Sequence, residues 1–163
     1  MLKTISASAV GKIILTGEHA AVYGRPAIAL PVRQVAVTVQ ISPLAERSGV
    51  YLRAPQIGLD SGLSALAGSH SLRAAVELIL SRHDLPPAPD ALIAITSTIP
   101  VAAGMGSSAA LAVGLTRALL AYFDQPANVE EVSATAFEVE KYQHGTPSGI
   151  DNSVIAHERC VYF

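Results

Sequence analysis

The sequence predicts an α+β fold. Val35, Val37, Val39 and Ile41 fall on alternate positions, the period of a strand with one buried face. Leu72, Ala75, Val76, Ile79 and Leu80 recur at i, i+3, i+4, i+7 and i+8, the stripe of an amphipathic helix. Strands dominate the first 54 residues, and helices mix with strands only afterwards. That order favours α+β over the regular alternation of a doubly wound parallel sheet.

Ser6–Thr16 reads as the first strand, with Ile13-Ile14-Leu15 as its apolar stretch. Tyr23-Gly24-Arg25-Pro26 is turn chemistry, followed by the short apolar run Ala27–Leu30 and then the alternating strand Gln34–Ile41. Gly49–Ala54 is a further strand. Residues 55–70 are rich in Gly and Ser without a period and are expected to be loop. The helix over 72–80 is stopped by Leu85-Pro86-Pro87-Ala88-Pro89, because proline lacks an amide donor and pushes its predecessor out of helical geometry. Ala91–Thr98 is a strand that Ile99-Pro100 ends. Ser107 or Ser108 can cap the next helix, Ala109–Phe123, which is apolar nearly all round and so expected at the centre. Asn128 with Glu131 forms a capping-box pattern ahead of an inward stripe of Val129, Val132, Ala136 and Val139. Thr146-Pro147-Ser148-Gly149 breaks the chain again, and Cys160–Phe163 opens an apolar strand with no continuation.

Composition narrows the function. The 163 residues are expected to form one folded unit, 1–163, since half are apolar and 15% are charged, enough to build a core. Net charge is −2 with no run of Lys or Arg, so the basic footprint of a nucleic-acid or membrane-surface binder is missing. A local cation cluster for one small anion stays open. Cys160 is the sole cysteine, which excludes an internal disulfide and fits a reducing, cytoplasmic setting. The five histidines (19, 70, 83, 144, 157) never fall at His-x-x-x-His spacing, so there is no zinc signature. Lys3 and Ala7-Ser8-Ala9 lack the apolar stretch a signal peptide needs between them. Val101–Phe123 is broken by its glycine-serine head and by Arg117, leaving too few apolar residues to span a bilayer.

Three stretches carry chemistry. Pro100-Val-Ala102-Ala103-Gly104-Met105-Gly106-Ser107-Ser108-Ala109-Ala110 joins a strand to an apolar helix. Its glycines permit tight bends and expose N–H groups, and the helix start adds free donors and a positive dipole end, together a cradle for phosphate. It has neither the Gly-Lys-Ser/Thr ending of a Walker loop nor the third glycine of a dinucleotide fingerprint. A tight turn with a good helix cap would use the same residues. In the second stretch, Lys12, Glu18 and His19 flank Ile13-Ile14-Leu15 and are expected at the ends of that strand. There Lys12 could meet an anion, or simply pair with Glu18 on the surface. In the third, Glu140 lies on the flank of an apolar helical stripe, a place for a hard magnesium ligand. Asp151 follows a Pro-Ser-Gly turn that can hold it as a general base, or it caps a helix after the break.

Taken together, GKIILTGEHAAVYG (Gly11–Gly24), PVAAGMGSSAA (Pro100–Ala110) and HGTPSGIDN (His144–Asn152) resemble, in order and separation, the three motifs of the GHMP family of small-molecule kinases, most closely its mevalonate kinase branch. Ala20-Ala21 after Gly17-Glu18-His19 separates the chain from galactokinases, and His19 from phosphomevalonate kinases, which tend to carry tyrosine there. The resemblance implies a mixed sheet with helices on one side, similar to domain 2 of ribosomal protein S5. It implies Mg²⁺- and ATP-dependent phosphorylation of the primary alcohol of mevalonate, in isoprenoid precursor supply. Pro100, Ala102, Ala103, Gly104, Met105, Gly106, Ser107, Ser108 and Ala109 would wrap the ATP phosphates, and Ser108 or Ser107 with Glu140 would hold Mg²⁺. Asp151 would take the alcohol proton, Lys12 would sit against Asp151, and Glu18 and His19 would shape the mevalonate site.

Members of that family are about twice this length, with a second α+β domain carrying a further glycine-rich motif. The expectation is therefore of a fragment lacking its C-terminal domain, with an apolar face that favours association. Two other functions stay open: a half-domain that binds nucleotide or a partner without turnover, and a kinase for another alcohol, such as phosphomevalonate or a sugar.

Overall fold

The computed structural model describes residues 3–17, 23 and 25–163. Among these, six strands form one mixed sheet: β1 (Ile5–Thr16), β2 (Ile28–Pro43), β3 (Val50–Ala54), β4 (Leu59–Gly62), β5 (Ala91–Ser97) and β6 (Val161–Tyr162). The order is β1-β2-β5-β3-β4, with β6 beside β2. Only β3 and β5 run parallel; the remaining pairs are antiparallel. Four helices, α1 (Ser71–Arg82), α2 (Ser107–Tyr122), α3 (Val129–His144) and α4 (Ile150–His157), cover one side.

Alternation explains which face is covered. Ile5, Ile41, Ile93 and Leu52 are cross-strand neighbours in one row over four strands, and all four are buried. Such a row is stabilised both by burial and by direct cross-strand contact. α2 lies directly on β1 and β2. Its Gly114 permits the approach, since a Cβ there would come within 3.3 Å of the Val39 side chain and 3.9 Å of Ala9. α3 packs on α2, and α4 packs between α3 and the β1–β2 end of the sheet. Arg117 of α2 fastens the far end of α4, donating to the Ala156 and Ser8 carbonyls at 2.8 Å and to Glu158 at 3.2 Å. A guanidinium is well suited to the carbonyl-rich end of a helix. No described helix is long and apolar enough to cross a membrane.

The structure departs from expectation at five places. The runs at 27–30 and 34–41 are one strand, β2, because the backbone continues through Pro31 with a register shift opposite Val10/Gly11. Residues 55–70 are not all loop: β4 pairs with β3 there, too short to show a period. α2 is capped by Gly106 in a left-handed conformation, and no side chain caps it, so neither Ser107 nor Ser108 has that role. Residues 150–157 form α4, where the sequence shows only a break with Asp151 as a possible cap; the N-cap is Gly149, and Asp151 lies in the first turn. The terminal strand does find a partner, β2, with Phe163 and Ala27 exchanging backbone hydrogen bonds of 2.9 and 3.0 Å. Asn128 caps α3 as expected, accepting from the Glu131 amide at 2.7 Å.

Leu119 is fully buried on α2. Leu119→Ala should lower the unfolding free energy by about 2–5 kcal/mol, read as a fall in urea midpoint at unchanged slope. A fall below about 1 kcal/mol would show that α2 is not the centre of the core.

Candidate active site

Lys12 was expected at a strand end; it lies inside β1 and is only 5% exposed. Its ammonium is 3.1 Å from the Asp151 carboxylate, in the first turn of α4. Its backbone N–H donates to the Met105 carbonyl at 3.0 Å, joining β1 to the glycine loop. Gly106 leaves room for the lysine stem: at φ +70°, a Cβ would sit 2.8 Å from Lys12 Cγ and 3.0 Å from Ile155 Cδ1. The Lys12–Glu18 alternative, and Glu18 and His19 themselves, lie outside the described residues.

Along the loop, Pro100, Ala102, Ala103 and Gly104 are exposed, Val101 is 94% exposed, and Met105 turns partly inward. Ala102 and Gly104 both have positive φ, 57° and 67°, which bends the chain sharply before α2. With glycine at its N-cap, α2 has no side chain to occupy its first amides. The N–H groups of Ser107, Ser108 and Ala109 are those a helix start leaves without intrahelical partners. They offer the donors and dipole end that suit a phosphate.

The Ser108 side chain turns away from capping and toward α3. Its hydroxyl contacts Glu140 Oε1 and Gln143 Oε1, the latter at 2.9 Å, with His144 Nε2 at 3.4 Å. Glu140 is 7% exposed, and burial raises its pKa above the ordinary carboxylate value, opposed by the Ser108 hydrogen bond and by His144 and Lys12. A hydroxyl has one proton, so a protonated Glu140 would supply the second hydrogen bond of the cluster. The same oxygens are a hard donor pair suited to a small divalent cation, which binds few protein ligands and keeps sites for water and phosphate. Residues and group therefore fit.

Loop, α3 and α4 border a cleft of about 290 Å³ lined by Gly106, Ser107, Ser108, Ala109, Glu140 and Asp151, together with His144, Pro147, Ser148, Gly149 and Asn152. The structure brings Lys12, Asp151, Ser108 and Glu140 to one end of the fold. Sequence reasoning did not single out two features. Asn152 donates to the Ser133 carbonyl and hydroxyl at 3.0 Å, tying α4 to α3. A small apolar pocket of about 120 Å³ beside Ser107 is lined by Val37, Ala54, Ile57, Ile95 and Leu111. Its residues come from separate elements, so no local pattern could reveal it.

A glycine-turned loop at a helix start, beside a buried lysine paired with a partly exposed aspartate and a hydroxyl–carboxylate pair, is an arrangement that suits a phosphate, set in an α+β domain. The family described as GHMP kinases N terminal domain matches residues 70–158, more than half of the sequence, and the chain belongs to that family. The mevalonate kinase of Pyrococcus horikoshii is 35% identical over 180 residues, covering 100% of this chain and 52% of that protein. The crystal structure of mevalonate kinase from methicillin-resistant Staphylococcus aureus MRSA252 aligns at TM-score 0.75 and 29% identity, over 99% of this chain and 52% of that one. The Methanococcus jannaschii mevalonate kinase shares the fold at TM-score 0.81 and 24% identity, over 100% of this chain and 53% of that one. The chain spans about half the length of the curated relatives it matches.

Two outcomes test this geometry. Gly106→Ala should destabilise the fold by about 1–3 kcal/mol through its left-handed backbone and the collision with Lys12, measured by urea unfolding. A neutral substitution would mean that the loop does not hold the lysine. Because the folded state raises the Glu140 pKa, that group favours folding below its unfolded pKa, and the benefit is lost as pH rises through the folded value. Glu140→Gln should remove this loss, so the variant gains stability relative to wild type as pH rises from the ordinary carboxylate pKa through the higher folded one; parallel pH profiles would contradict the burial effect.

Proposed function

We propose that this chain carries the nucleotide-binding and catalytic half of an ATP- and Mg²⁺-dependent kinase acting on the primary alcohol of mevalonate. The observation that carries the reading is the buried Lys12 ammonium 3.1 Å from Asp151, beside the cleft that Ser108 and Glu140 also line. Asp151 receives the alcohol proton, and Lys12 fixes its carboxylate and presents positive charge toward the transferred group. Gly104–Ser108 and Ala109, with Pro100, Ala102 and Ala103 flanking, hold the phosphates through backbone donors. Ser108 and Glu140 would hold magnesium, which when bound offsets charge on the phosphates during transfer. The apolar pocket beside Ser107 suits the nucleotide base. Glu18 and His19 would shape the alcohol site. The identity to curated mevalonate kinases favours that alcohol over phosphomevalonate or a sugar.

One observation favours a second reading. The loop from Pro100 to Gly104 is open to solvent, so this chain alone can bind nucleotide in a cleft too wet for efficient transfer.

A coupled ADP-release assay with ATP, Mg²⁺ and mevalonate should show turnover that Asp151→Asn lowers by about 100-fold or more, with binding of a fluorescent ATP analogue retained. Turnover unaffected in Asp151→Asn would refute Asp151 as the base. A folded chain that binds Mg-nucleotide without turnover would establish the second reading, and phosphomevalonate or sugars run in parallel would expose a different alcohol.

A further inference from the structure

Gln143 stands on α3 three residues after Glu140, so both side chains issue from the same helical face toward Ser108. We propose that Gln143 is a positioning residue whose side-chain carbonyl takes the Ser108 hydroxyl proton and thereby turns a Ser108 oxygen lone pair toward a divalent cation. The inference rests on the reading of Ser108 and Glu140 as cation ligands and assigns the residue that makes Ser108 competent for that role.

The reason is stereochemical. A serine hydroxyl has one proton and two lone pairs. As a neutral cation ligand it keeps the proton, which must then point away from the cation to another acceptor. Glu140 Oε1 would not serve, because in that role it would itself be a cation ligand. Among the described residues two neighbours remain: Gln143 Oε1 at 2.9 Å and His144 Nε2 at 3.4 Å. The first is at ordinary hydrogen-bond length and the second is beyond it. Gln143 is also uncharged, so it orients the hydroxyl without adding charge beside the cation. It is partly buried, whereas His144 is exposed, which holds the amide more firmly in place. Outer partners of this kind set the orientation of the ligands they touch, and their loss weakens cation affinity although the ligands remain.

The test uses this chain and equilibrium binding of a fluorescent ATP analogue, in Mg²⁺ and in EDTA; the ratio of the two Kd values is the magnesium gain. Gln143→Met, matched in length but without an acceptor, should lose about tenfold of that gain. Its EDTA affinity and thermal midpoint should stay at wild-type values. Gln143→Glu keeps an oxygen acceptor and should retain the gain or exceed it. A wild-type gain in Gln143→Met, or equal losses in the Met and Glu variants, would overturn the proposal while leaving the Ser108–Glu140 reading intact. A wild-type chain with no magnesium gain would overturn both.

Discussion

A lysine ammonium withdrawn from water loses much of its hydration energy unless a countercharge and a fitted surround replace it. Lys12 meets that condition through contacts drawn from distant parts of the chain. Asp151 supplies the charge at 3.1 Å, from a helix 139 residues later in sequence by number. Gly106 supplies the space along the stem, and Met105 takes the lysine's own backbone N–H. Strand, loop and helix therefore meet at one side chain. The same contacts that make burial of the cation tolerable also assemble the cleft.

The two helices that open on this cleft begin alike. α2 starts from Gly106 at φ 70° and α4 from Gly149 at φ 85°, and neither has a side-chain cap. A serine or aspartate at either N-cap would favour helix formation locally by occupying a first-turn amide. Glycine forgoes that stabilisation, a local loss that leaves the first amides of α2 available as donors, while at α4 the Ile150 amide reaches the Ser148 hydroxyl at 3.4 Å. Compensation comes from packing elsewhere: Arg117 secures the far end of α4, Asn152 ties its first turn to α3, and α2 rests against β1 and β2.

Much of the fold was legible because its signals are local. The period-two run through Val37 and Val39, the stripe from Leu72 to Leu80, and the Asn128–Glu131 cap each lie within a dozen residues and have one structural solution. The misread segments are those in which local signals are weak or contradicted. Pro31 suggests a break, yet β2 continues past it, held by β1 on one side and by β6 near its start. β4 has four residues, too few to display alternation. α4 has eight, introduced by a Pro-Ser-Gly turn that reads as a loop, and it is helical because Ile150, Val154 and Ile155 bury against the rest of the fold.

For the candidate site, the sequence by itself determined the chemical groups: a lysine, an aspartate, a buried-edge glutamate and a glycine-serine turn before an apolar helix, in motifs specific enough to indicate the family. Only the tertiary structure decided how they are placed. Lys12 moved from a strand end to the interior, Ser108 from a possible cap to the contact with Glu140 that fits the pairing the resemblance implies, and Gln143 from an unremarked helical residue to an acceptor at 2.9 Å. The physical reason is range. Helix and strand propensities act between neighbours along the chain. Burial, charge pairing and the direction of a hydroxyl proton depend on groups that sequence keeps far apart and that packing alone brings together.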